Sequence, residues 1–155
     1  MKGRVIFILL LFIFVGCNKQ ASNDVSLIDQ EVLKDNVATA GIAYNSYTQE
    51  SYEQALSEGK FVFLNFYANW CPICKREKPD VVNALKEISR EDIAAFEVNY
   101  NDDETDENEK ALAKKFGITY QHTKVIVDKN EKEFFRTLES LEKEELKTKI
   151  ISSLS

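Results

Sequence analysis

Residues Phe61 to Pro79 read FVFLNFYANWCPICKREKP. Phe61 to Tyr67 is an apolar and aromatic run broken only by Asn65. That is the pattern of a strand buried on both faces. Just beyond it, Cys71-Pro72-Ile73-Cys74 opens a segment in which Val81, Val82, Leu85 and Ile88 recur at helical spacing, predicting a helix from Cys71 to Ser89. A C-x-x-C at a helix start puts both sulfurs on one face, one turn apart and within disulfide reach. The first sulfur also lies beside unpaired backbone N–H groups and the positive end of the helix dipole, which favours a thiolate. Thiolate attack on a disulfide proceeds through a mixed disulfide that a second thiol resolves. The spacing therefore offers Cys71 as nucleophile and Cys74 as resolving thiol. The same motif is half of a zinc site, but the chain has no second Cys pair to complete one.

Working outward, Thr48 to Glu58 reads as a helix with Tyr52, Ala55 and Leu56 on one side, Thr48 as cap and Gly59 as its end. Ile93 to Tyr100 is a second strand, and Asp106 to Phe116 a helix closed by Gly117. Thr123 to Asp128 and Glu133 to Leu138 are strands around a Lys129-Asn130 turn. Leu141 to Leu154 is an amphipathic helix striped by Leu141, Leu146, Ile150 and Leu154. Strand, helix, strand implies a parallel pair with a crossover, and the late hairpin adds antiparallel strands. The predicted fold class is α/β, a mixed central sheet with helices on both faces. The acidic run Asp102, Asp103, Glu104, Asp106, Glu107, Glu109 lacks the ligand spacing and Gly of a calcium loop. It reads as a solvated loop feeding a helix N-terminus, where negative charge is favoured.

The segment 61–79 resembles the active-site region of the thioredoxin superfamily: a strand, Ala-x-Trp with Trp70 before the motif, C-x-x-C, a Lys, and Pro79 in the position of the proline that kinks the active-site helix. Ala111 to Ile126 (ALAKKFGITYQHTKVI) resembles the same family's helix, Gly-Ile loop and next strand. The resemblance covers about residues 47–155 and implies a thioredoxin-like fold. It departs from the family at three places. The family's cis-proline, in the loop facing the dithiol, falls on His122, followed by the matching Thr123. A cis bond before a non-proline costs about 2.5–4 kcal/mol, so a trans bond is expected. The family's buried acid falls on Asn65, which takes up no proton, so control of Cys74 must differ. The Pro72-Ile73 dipeptide lacks the His that stabilises the thiolate of strong oxidants. Family potentials run from about −270 mV to about −120 mV, and this protein is expected in the reducing half.

The chain has 155 residues, enough for one ordinary domain, with 44% hydrophobic and 30% charged residues. Three cysteines leave one over beside the dithiol. Lys2 and Arg4 precede an unbroken apolar run from Val5 to Val15, too short to span a bilayer but proportioned like a signal-peptide core. Gly16-Cys17 follows and resembles a bacterial lipobox, although Phe14 stands where Leu is usual. The resemblance implies cleavage after residue 16 and lipidation of Cys17, with two or more acyl chains giving stable anchoring. Residues 1–16 are then signal peptide, 17–45 a lipid-anchored tether (with a short helix around Leu27 to Lys34), and 46–155 the thioredoxin-like domain. Cleavage removes two positive charges and no negative one, taking the net charge from −6 to −8. Such a balance argues against nucleic-acid binding.

The function expected is that of an extracytoplasmic, membrane-anchored thiol–disulfide oxidoreductase, reducing rather than oxidising. Cys71 attacks, Cys74 resolves, and Trp70, Pro72, Ile73, Pro79, His122, Thr123 and Asn65 shape the site. No dissociable cofactor is needed. The expected partners are clients with disulfides or thiols, and a membrane electron-transfer protein for recycling. The alternative is a copper chaperone using Cys71, Cys74 and His122, since two thiolates and an imidazole suit Cu(I). A third reading is a lipoprotein with a vestigial site acting by surface contact.

Overall fold

The computed structural model describes residues 41–155. The signal segment, Cys17 and the helix expected around 27–34 lie outside the described residues. In chain order the elements are β1 (Tyr44–Ser46), α1 (Gln49–Ser57), β2 (Phe61–Tyr67), α2 (Pro72–Lys86), β3 (Ile93–Asn99), α3 (Glu107–Lys115), β4 (Thr123–Val127), β5 (Glu133–Thr137) and α4 (Lys143–Ser153). Every element expected from Thr48 onward is present, with ends moved by at most three residues.

The sheet order is β1-β3-β2-β4-β5. β3 pairs in parallel with β1 and β2, while β4 runs antiparallel to both β2 and β5. β1 falls across the boundary expected between tether and domain at residue 45. Three residues are too few to show an alternation, so its pairing with β3 was not readable. The chain just before it is also packed: the Ile42 N–H donates to the Leu85 carbonyl at 3.0 Å. At Gly41 a Cβ would stand 1.9 Å from the Lys86 carbonyl oxygen, so only glycine fits this close approach.

Residues alternate to the two sides of β2. Val62, Leu64 and Phe66 meet Tyr52 and Ala55 of α1 and Leu112 and Ala113 of α3. Phe63 meets Val81, Ala84 and Leu85 of α2 and Leu146 and Ile150 of α4. Both faces are thus closed, which is why the strand carries no polar alternation. Burying each such side chain contributes about 1.5–3 kcal/mol.

The helix starts follow their caps. Thr48 accepts the Ser51 N–H, and Asp106 forms a reciprocal capping box with Glu109. Leu141, placed in the last helix by its spacing, instead precedes α4 and is buried under it. The β4–β5 turn is longer than a two-residue Lys129-Asn130 turn. Asp128 Oδ1 accepts the N–H groups of Asn130 and Lys132, and Glu131 takes the left-handed φ of 62°.

Candidate redox site

Cys71 is the N-cap of α2, and Pro72 takes the first helical position, where no N–H is missed. The Cys71 sulfur accepts the Cys74 N–H at 3.2 Å, so the helix end points a donor at this sulfur. Cys71 and Cys74 form a disulfide with their Cα atoms 5.3 Å apart, inside the usual range. Both are buried in a cluster with Ala68. Trp70 and Ile73 are 51% and 43% exposed and stand beside Cys71 and Cys74 in the chain. Pro79 lies inside α2, where its missing N–H leaves the Lys75 carbonyl without its usual intrahelical donor.

The acidic run does more than feed α3. Asp102 Oδ2 accepts the Asn69 N–H at 2.8 Å, and Asp103 Oδ1 accepts the Asn69 amide at 2.6 Å. The Trp70 indole N–H donates to the Asn101 carbonyl at 2.9 Å. Asn101 adopts a φ of 56° to present it. Three consecutive residues of the β3–α3 loop therefore fasten the two residues before Cys71. Glu109 is buried and accepts the Asn99 N–H, with its carboxyl raised above the usual range by burial. The expectation of a solvated loop is corrected accordingly: its first two carboxylates accept the Asn69 backbone N–H and the Asn69 side-chain amide.

Asn65 is buried and donates to the Tyr44 hydroxyl at 2.8 Å. Directly across the ladder from Asn65 stands Glu97. Its two carboxylate oxygens each lie 2.9 Å from Lys78 Nζ. Burial, then the charge of Glu97, raises the Tyr44 phenol well above its ordinary value, so it stays protonated. The carboxylate missing from β2 is thus found on β3, paired with a lysine of α2.

His122 lies immediately before β4. Its peptide bond is trans, as expected, and its φ is 70°. The left-handed backbone is held by an N–H donated to the Phe66 carbonyl at 2.6 Å. Thr123 is buried, pairs with Phe66, and donates its hydroxyl to the Tyr120 carbonyl at 2.7 Å. Tyr120, in the same loop, is 64% exposed.

The imidazole does not stand alone. His122 Nδ1 is 3.0 Å from Glu77 Oε2, and Lys124 Nζ is 2.8 Å from the same oxygen. Glu77 Oε1 accepts the Leu141 N–H at 2.7 Å. Lys124 is fully buried and also donates to the Glu139 carbonyl at 3.3 Å. Burial lowers the Lys124 ammonium from its ordinary value, against the opposing pull of Glu77. Burial, then the Lys124 charge, lowers His122 as well, leaving a neutral ring at neutral pH. A neutral ring whose Nδ1 faces a carboxylate carries its proton there. Its Nε2 is buried without any hydrogen-bond partner. Among the described residues, no group of three or more His, Cys, Asp or Glu is arranged to hold a metal ion.

Glu77 and Lys124 are members of this site that motif reading passed over. Both carried a signal. Glu77 sits on the same stripe of α2 as Val81, Ala84 and Leu85, and Lys124 interrupts the otherwise apolar strand TKVIV. A charged residue at a core position implies a buried partner.

A helix-start dithiol, following the second strand of a mixed sheet covered on both faces, defines a thioredoxin-like redox protein. The Thioredoxin family profile matches residues 43–152, and the chain belongs to that family. It is 31% identical over 80 residues to the thiol-disulfide oxidoreductase ResA of Halalkalibacterium halodurans, covering 52% of this chain and 43% of that one. It is 32% identical over 74 residues to the thioredoxin-like protein YneN of Bacillus subtilis, covering 47% of this chain and 41% of that one. The chain thus spans less than half the length of these curated relatives. The solved structure of Trxlp from Edwardsiella tarda aligns with a TM-score of 0.54 and 25% identity, covering 64% of this chain and 90% of that one.

Proposed function

We propose that the protein is an extracytoplasmic, membrane-anchored thiol–disulfide oxidoreductase that acts as a reductant. The observation that carries the activity is the Cys71–Cys74 pair at the start of α2, with a backbone donor on the Cys71 sulfur. The Cys71 thiolate attacks a client disulfide, and Cys74 then displaces the client, leaving the Cys71–Cys74 disulfide. A membrane electron-transfer protein returns two electrons to it. The names of the ResA and YneN relatives support this class of activity. The absence of a thiolate-stabilising His between the cysteines supports the reducing direction.

Location rests on the sequence alone. Residues 1–16 act as signal peptide, Cys17 carries the lipid, and the residues after it tether a domain whose packed chain already includes Ile42 and β1. Trp70, Ile73 and Tyr120 offer exposed apolar surface to clients on the segments that carry the cysteines and His122. Pro72, Pro79, Thr123 and Asn65 hold the backbone and packing of the site.

Insulin reduction driven by dithiothreitol tests the reading. The unsubstituted chain accelerates it, Cys71→Ser is inactive, and Cys74→Ser accumulates a mixed disulfide with the client that reducing agent releases. Full activity in Cys71→Ser would contradict the proposal.

A further inference from the structure

Asn65 leaves the dithiol without the expected acid on β2, and Glu97 is ion-paired with Lys78, with Oε1 hydrogen-bonded and Oε2 without a hydrogen-bond partner. A second, buried group of ionisable side chains is Glu77, His122 and Lys124. Glu77 is three residues after Cys74 on α2, and both side chains are buried, so they share one helix face one turn apart. The loop before β4 reaches the same place from the sheet. His122 bonds to the carbonyl of Phe66, two residues before Ala68, which packs with both cysteines. The imidazole is therefore pinned at the cysteine end of the sheet by its backbone and oriented by Glu77 through Nδ1. The opposite ring nitrogen, Nε2, has a lone pair, no water access and no donor. A buried acceptor without a donor costs about 1–3 kcal/mol, which a protein keeps where a donor arrives during its work. Reduction of the disulfide creates two thiol donors.

We propose that His122, oriented by Glu77 and anchored through Lys124, is the proton acceptor for Cys74 in the resolving step. The proposal rests on the oxidoreductase reading above and assigns a residue to its second half-reaction. Cys71, as thiolate, attacks one sulfur of the client disulfide and forms a Cys71–client bond. The other client sulfur leaves as a thiolate and takes from water the proton that Cys71 lost. His122 Nε2 then takes the Cys74 proton, and the Cys74 thiolate attacks the Cys71 sulfur. The Cys71–Cys74 bond forms, the Cys71–client bond breaks, and the departing client thiolate takes the proton from the imidazolium. Two electrons pass from the two cysteines to the client disulfide, which becomes two thiols. Glu77 offsets the transient positive charge on the ring. The groups facing the ring are Glu77 and Arg76 of α2 and Lys124 of β4. Burial first, and then the two cations, keep the resting imidazole neutral, so it is ready to accept.

The test uses the reduced full-length chain in a Cys17→Ser background, so that only two thiols react with 5,5′-dithiobis(2-nitrobenzoate). Thionitrobenzoate is released once when Cys71 attacks and again when Cys74 resolves. His122→Asn tolerates the left-handed backbone but takes up no proton at neutral pH. The proposal expects it to slow the second release at least tenfold, to remove the imidazole inflection from its pH profile and leave only that of the thiol, and to leave the first release within twofold. An unchanged second release, or equal slowing of both, overturns the proposal. Absence of the second release in the parent chain overturns the oxidoreductase reading instead. Because His122 is the only histidine, nitrogen NMR of the unsubstituted chain gives a variant-free check. The proposal expects the Nδ1–H tautomer and a titration midpoint that differs between the disulfide and dithiol forms. The Nε2–H tautomer, or one midpoint for both forms, overturns it.

Discussion

Single side chains fix the chemistry of this site more than any element does. Asp102 collects the Asn69 N–H, the Thr105 hydroxyl and the Glu104 N–H in one carboxylate. Asp102→Ala is expected to cost about 1–3 kcal/mol in urea unfolding, because two backbone donors and a hydroxyl lose their acceptor. The same variant frees the segment before Cys71, so its insulin reduction falls as well. His122 gives a pH signature of opposite kind. Its folded-state value lies below the ordinary 6.5, so below that pH the unfolded chain binds the extra proton first. Its contribution to stability is complete above about 6.5 and is lost as pH falls toward the folded value. The unsubstituted chain should therefore lose more unfolding free energy than His122→Asn between about pH 7 and about pH 5. Equal losses would show that the ring does not titrate in a buried place. Cys71, Cys74 and the loss of the β2 acid at Asn65 were all legible, because a spacing or a substitution in a motif announces them. The Glu77 partnership was not, because α2 and β4 meet only in three dimensions.

At the scale of elements, α2 and β4 are joined by a buried ion pair as well as by apolar packing. Lys124 Nζ and Glu77 Oε2 are 2.8 Å apart, and neither side chain reaches solvent. Removing one partner strands the other charge. Lys124→Met should cost about 3–5 kcal/mol in denaturant unfolding, and Glu77→Gln combined with Lys124→Met should recover part of it, because the amide keeps an acceptor for the Leu141 N–H. A double variant as unstable as the sum of both single changes would contradict the account. The strands and helices from Thr48 onward could be read from periodicity and caps, since burial on one or two faces writes itself into the residue pattern. The β1 strand could not, because three residues carry no period. Leu141 was misplaced for a related reason: it is buried by the approach to α4, and a helical stripe cannot distinguish that from membership of the helix.

For the molecule as a whole, the fold places one helix start, one loop and one buried charge network at a single end of the sheet. The order β1-β3-β2-β4-β5 sets β2 in the middle, so the dithiol follows a strand covered on both faces and has β4 beside it. Strands β3 and β4 flank β2 on both sides and hold the segment that leads to the sulfurs. The direction of electron flow is set by the potential of the Cys71–Cys74 couple. The most direct measurement is the equilibrium of the Cys71–Cys74 couple against glutathione and dithiothreitol buffers, followed by thiol alkylation. The account predicts a reversible two-electron couple more reducing than about −200 mV. A couple near −120 mV, or no reversible Cys71–Cys74 disulfide at all, would contradict it.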